Sequence, residues 1–192
     1  MIIKQPGKAK VKNKSVVPSE FGSITICALR YAQMVVNCIE EVAFVIEATK
    51  YNWNFLSDKD CIIIYLDTKG MIEGRLAPIP APEYLILWGA FAFWLGQSEQ
   101  EDQQQTKTEV VGLGFLSIYA LRYCVGRMTY MPSTIIDAIK ENWELLHPDD
   151  RQQIQNDVQT AIATRHLGMA WDRETWLSFD EWIAENINKV GT

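Results

Sequence analysis

Apolar residues recur along this chain in steps of three and four, and they do so twice. Ile39, Val42, Ile46, Thr49, Trp53 and Leu56 form one row, and Ile135, Ile136, Ile139, Trp143 and Leu146 form another. Such spacing places side chains on one face of an amphipathic helix. Before each row stands a nearly uninterrupted apolar run, at about 22–36 and 113–125, the pattern of a helix buried on all sides. After each row comes a helix-start signal. Ser57 followed three residues later by Asp60 resembles a capping box, and His147-Pro148-Asp149-Asp150 puts proline and acids into a first turn. Ser133 is a candidate N-cap for the second amphipathic row. A last row, Trp88, Phe91 and Leu95 with Trp94 beside it, returns as Trp176, Phe179 and Ile183 with Trp182. Each half is expected to hold four helices.

The two halves match residue by residue. Ala28-Leu29-Arg30-Tyr31 returns as Ala120-Leu121-Arg122-Tyr123, and Val45 to Trp53 lies against Ile135 to Trp143. Leu56, Asp60, Ile64 and Asp67 pair with Leu146, Asp150, Ile154 and Asp157. The offset falls from 92 to 90 to 88, so two short indels, expected in loops, reconcile the copies. One period of about half the chain indicates duplication, since solenoid repeats are shorter and more numerous. Each copy also corrects the other. Cys61-Ile62-Ile63-Ile64-Tyr65-Leu66 alone resembles a buried strand. Its partner Arg151 to Asn156 is polar, with isolated apolar positions at 154, 158 and 162, so both segments are assigned to helix. The expected fold is all-α, with two tandem four-helix units packed as a pseudo-twofold pair that buries equivalent surfaces as an isologous dimer does. A flexible basic arm is expected over 1–20, the units over 21–97 and 113–188, and a polar linker over 98–112. The proline-rich stretch 77–82 reads as a stiff connector. The Trp53/Trp143 and Trp94/Trp182 pairs are expected in equivalent core positions.

Composition narrows the class. A chain of 192 residues that is 48% hydrophobic can bury a core without a cofactor, and none is expected. Cys27, Cys38, Cys61 and Cys124 are widely spaced and form no C-x-x-C pair, which predicts buried free thiols in a reducing cytoplasm. The polar, lysine-rich start does not resemble a signal peptide, and the uncharged run Tyr84 to Gly96 is too short to span a bilayer. No membrane association is expected. Charge divides unevenly: five lysines against Glu20 give the first twenty residues +4, leaving −10 elsewhere to reach the total of −6. Direct nucleic-acid binding is expected only through that arm, which otherwise reads as a solvated tail.

Catalytic chemistry has few candidates. His147 precedes a helix and His166 lies in a predicted loop, and no phosphate-binding glycine loop, H-E-x-x-H or G-x-S-x-G is present. The acids at 58, 60, 149 and 150 fall in first helical turns, where they favour the helix dipole without a metal; no metal site is expected. Arg30 and Arg122 stand in apolar helices and require acidic partners. The paired acids Asp67 and Asp157, or Glu47 and Asp137, supply them. Arg127 and Tyr130 have no counterparts in the first unit. They are expected to be dispensable for folding, and with Tyr123 they are the nominated binding residues.

The second unit carries Ala-Leu-Arg-Tyr-x-x-Gly-Arg-x-Thr-Tyr, a downstream Asn-Trp-x-x-Leu, Arg151, Ile154 and Asp157, then Asp172, Trp176, Phe179 and Trp182. It resembles small single-unit proteins of unknown function common in bacteriophages and prophages, over about residues 113–186 and most specifically over Arg122 to Tyr130. The first unit departs by lacking Gly-Arg-x-Thr-Tyr. The resemblance supplies no activity, but it implies an accessory protein of a mobile element, many of which bind host machinery or block immunity. The expected function is therefore non-enzymatic: binding of a bacterial host or defence protein in the host cytoplasm, as an anti-CRISPR-like inhibitor does. An acidic body can compete for a nucleic-acid-binding groove, although its charge is too modest for a DNA mimic. The alternatives are an immunity-type inhibitor of a toxin, and a small-anion or nucleotide-binding protein or enzyme that uses Arg122 to Tyr130, since arginine forks and tyrosine hydroxyls suit phosphate.

Overall fold

The structure, a computed structural model, describes residues 20–34, 38–75, 81–97, 110–126, 132–164 and 170–188. The described residues are all-α, without a strand. In the first half, α1 (Phe21–Met34), α2 (Ile39–Tyr51), a 3₁₀ turn (Trp53–Phe55), α3 (Asp58–Ile72) and α4 (Pro82–Gly96) follow in order. In the second, α5 (Leu113–Gly126), α6 (Pro132–Glu141), a 3₁₀ turn (Trp143–Leu145), α7 (Pro148–Thr164) and α8 (Ala170–Asn186) follow in the same order. The predicted arm over 1–19, most of the linker and most of the proline-rich connector lie outside the described residues.

The two apolar runs become the centre of the molecule. α1 and α5 pack on each other in the most extensive interface between elements. Ile24, Cys27, Ala28, Leu116, Tyr119 and Ala120 are buried along it. α3 packs on α1 as α7 packs on α5, and α4 and α8 cover α3 and α7 in turn. Glycine permits the close approach at both central helices. A Cβ on Gly22 would collide with the Asp60 carboxylate, and one on Gly114 with that of Asp150. Asp60 is meanwhile held in the capping box, with its N–H donating to Ser57 Oγ at 3.2 Å and its Oδ2 accepting from Ser57 N at 3.2 Å.

The amphipathic helices end sooner than their apolar rows. α2 stops at Tyr51 and α6 at Glu141, where buried Asn52 and Asn142 turn their amides back onto the carbonyls of Ala48 (2.8 Å) and Ala138 (2.6 Å). An asparagine that satisfies a last-turn carbonyl competes with helix continuation, so Trp53 and Trp143 sit on 3₁₀ turns instead. Ser133 is not a cap: Pro132 opens α6 and Ser133 is exposed within its first turn. Asn52 also grips Val111, donating to its carbonyl at 2.7 Å and accepting from its N–H at 3.0 Å. Gly112 turns there with φ +72°, where a Cβ would press on Phe44 at 3.3 Å. The end of the predicted linker is thus docked on α2, not free.

The Trp rows face the core. Trp88, Phe91, Trp176, Phe179 and Ile183 are buried. Trp94 meets Trp53 edge-on at 5.3 Å, and Trp182 meets Trp143 edge-on at 5.4 Å. Trp94 and Trp182 are alike, both partly buried, but Trp143 is 4% exposed and donates its indole N–H to Asn186 O at 3.3 Å, whereas Trp53 is only partly buried. The expectation of equivalent core positions is corrected for the Trp53/Trp143 pair.

Candidate functional site

The arginines of the central helices both find carboxylates on the third helix of their half. Arg30 Nε lies 2.6 Å from Asp67 Oδ2. Arg122 Nε lies 2.6 Å from Asp157 Oδ2, with a second bond from Nη2 to Oδ1 at 3.3 Å. Gln153 donates to the same Asp157 at 2.8 Å. Burial opposes the charge on Arg122, but the hydrogen bond and the charge of Asp157 more than offset it, and the guanidinium is held protonated. Asp137 does not take part: it is exposed on α6, and Arg122 turns to Asp157 across the α5–α7 packing instead. Glu47, the other candidate, pairs with Lys50 at 2.7 Å. Tyr123 is half-buried on α5, while Arg127 and Tyr130 lie outside the described residues.

A cavity of about 340 Å³ opens beside the Arg122–Asp157 pair, between α5 and α7. Leu121, Val125, Val158, Ala161 and Trp176 form its apolar walls, and Tyr31 reaches it from α1.

The remaining titratable groups hold the fold. Tyr119 is buried in α5 and donates its hydroxyl to Glu41 of α2; burial, and then that bond, raise its pKa. The Cys124 thiol is raised by its hydrogen bond with Cys27 across the α1–α5 interface, and by burial. All four cysteines are free. Cys27 and Cys124 are buried as expected, but Cys38 and Cys61 are only half-buried. His147, exposed before α7, accepts from Asp149 N at 3.3 Å.

One surface was not foreseen from the sequence. Ile62 and Leu66 on α3 are 60% and 57% exposed, and Ile86 and Phe93 on α4 are 75% and 71% exposed. Tyr65 and Ala90 lie on the same outward sides. These two helices pack on one another, so the solvent sides of neighbours both carry apolar rows. The matching positions of the second half are Gln152, Asn156, Glu174 and Glu181, with Gln155 and Ser178 for Tyr65 and Ala90. Around the apolar rows stand exposed Lys59, Lys69 and Arg75 with Asp58, Glu73 and Glu83, three charges of each sign. Among the described residues no helix is long and apolar enough to cross a membrane. The contrast between the two halves is present in the sequence itself, as apolar residues in one at the positions where the other has polar ones. Compared with known proteins, the chain matches no protein-family model, no curated protein and no solved structure.

Proposed function

We propose that this chain is a non-enzymatic protein-binding module, and that its docking surface is the outer face of α3 and α4. The observation that carries this is the exchange of Gln152, Asn156, Glu174 and Glu181 for Ile62, Leu66, Ile86 and Phe93 at matching positions. The same fold tolerates polar residues there, so folding does not require the apolar ones. They expose roughly 500 Å² of apolar surface, in the range of functional patches and approaching the ~800 Å² each partner contributes to a stable complex. The occupant it fits is another protein with an apolar surface of low net charge. The balanced rim has no basic excess to attract phosphates or anionic lipid headgroups.

This reading treats the halves as tandem copies of one fold, with a pseudo-twofold relation supported by the matched Arg–Asp and Trp–Trp geometries. Taken with the resemblance of residues 113–186 to phage and prophage proteins, it makes the partner a bacterial host or defence protein and the function an anti-CRISPR-like inhibition. The small-anion alternative is weakened because Asp157 already engages Arg122. The test compares the wild-type chain with an Ile86→Glu/Phe93→Glu variant, which installs the second half's residues. Affinity isolation from a bacterial host carrying defence systems should yield one stoichiometric partner. Gel filtration of the complex rebuilt from purified components should then show it lost in the variant, with helicity unchanged. A complex retained by the variant overturns the proposal. So does a wild-type homodimer that the variant dissolves, since that assigns the face to a second copy.

A further inference from the structure

We propose that the cavity between α5 and α7 is a binding site for a small, uncharged, largely apolar molecule with one hydrogen-bonding group, of the size of a fused aromatic ring. The two Arg–Asp pairs set a common register. Asp157 on α7 meets Arg122 on α5 as Asp67 on α3 meets Arg30 on α1. Positions at equal steps from these pairs therefore face equivalent spaces. One turn beyond Asp67 stands Met71, which is wholly buried; one turn beyond Asp157 stands Ala161, which lines the cavity. Four residues after Arg30 stands Met34, whereas four after Arg122 stands Gly126, where an added Cβ would meet nothing within 4 Å. The first half thus places a buried methionine where the second places alanine, and at the end of its central helix a partly exposed Met34 where the second has Gly126. Apolar walls left open to solvent beside Ala161, where the first half sets buried Met71, point to an occupant.

The walls specify that occupant. Leu121, Val125, Val158 and Trp176 are apolar; of the polar residues, Thr160 and Thr164 donate their hydroxyls back to the carbonyls of Asn156 and Thr160, which leaves Tyr31 and the Arg122–Asp157 pair to meet a ligand. The pair neutralises itself. An anionic ligand would compete with Asp157 and a cationic one with Arg122, whereas a neutral donor or acceptor can bond to its edge without separating it. At about 340 Å³ the cavity lies at the lower end of small-molecule sites, which run from ~300 to ~1,000 Å³, and far exceeds the ~30 Å³ of one water.

Indole, neutral and carrying one N–H, is the probe. Titrated into the full-length chain and followed by two-dimensional amide NMR, it should bind saturably, with shifts centred on α5 and α7. Ala161→Met, which restores the side chain of the first half, should weaken binding by about tenfold or more while preserving or raising Tm. Gly126→Leu, which enters the same space from an open position, should act likewise and keeps the test decisive if the first variant misfolds. Absence of saturable binding up to the solubility limit of indole, or equal binding by both folded variants, overturns the proposal. Neither outcome depends on the α3–α4 docking face.

Discussion

The two halves of this protein share a skeleton and differ at its inner and outer margins. Both bury a central helix, pair its arginine with an aspartate on the third helix, and set two tryptophans edge-on. Outside that frame, the first half is apolar toward solvent and filled within, by Ile62, Leu66, Ile86 and Phe93 outside and Met71 inside. At the matching outer positions the second is polar, with Gln152 and Glu181, although Leu145 and Leu177 are exposed elsewhere on it, and it opens beside Ala161. Features present in both halves are explained by folding. Features present in one half are free to serve binding, which is the ground for the proposed docking face on one half and the proposed ligand site on the other.

The deepest difference in packing gives the largest expected effect. Trp143→Ala should cost about 3–5 kcal/mol, and Trp53→Ala less, because Trp143 is buried and Trp53 is only partly buried at the edge of the core. Equal losses by chemical denaturation would erase this distinction. The shared close approaches come next. Gly114→Ala should destabilise by about 2–3 kcal/mol through collision with Asp150, and Gly22→Ala by a similar or smaller amount through Asp60. A neutral effect at either glycine would show that the two central helices are not seated alike.

Smaller still are the ion pairs. Arg30→Ala and Arg122→Ala should each cost about 1–2 kcal/mol, since their carboxylates are partly hydrated. Matching losses in urea titrations support a common structural role, and a loss confined to one half breaks the correspondence. Cys61 provides a pH test. Where the second half has Arg151, burial, followed by the charges of Asp60 and Asp58, pushes this thiol up to about 11 from an ordinary 9.0. The folded chain therefore holds the proton more tightly than the unfolded one. Its contribution is intact below pH 9 and is lost as pH rises toward 11. The Tm difference between wild type and Cys61→Ser, followed from pH 8 upward, should move against the wild type across that window; a pH-independent difference rejects it. Least of all, Ile86→Glu/Phe93→Glu should leave Tm within about 1–2 °C of wild type, because both side chains already face water.

Much of the fold was legible because its signals are local or repeated. The Ser57–Asp60 box lies within four residues, and the Trp rows follow the helix period in both copies. The strand-like run at Cys61 to Leu66 was assigned correctly only because its polar counterpart exists. The same run also contains Ile62 and Leu66, which are apolar yet exposed on the outside of α3 and form part of the proposed docking face. Apolar character in a sequence marks what avoids water, and it does not say whether the cover is the protein's own core or another molecule.

The sequence by itself determined the helices, their doubled order and the need of each central arginine for an acid. Those follow from periodicity, capping chemistry and the cost of an unpaired buried charge, all of which act within a few residues or hold anywhere in a core. Only the tertiary structure decided that Asp157 and not Asp137 answers Arg122, that Asn52 ends α2 while clasping Val111, and that Ala161 lines an opening whereas Met71 is buried. Each of these depends on which side chain meets which across two packed helices. Distances set by packing between segments 35 or 59 residues apart are not written in the spacing of either one.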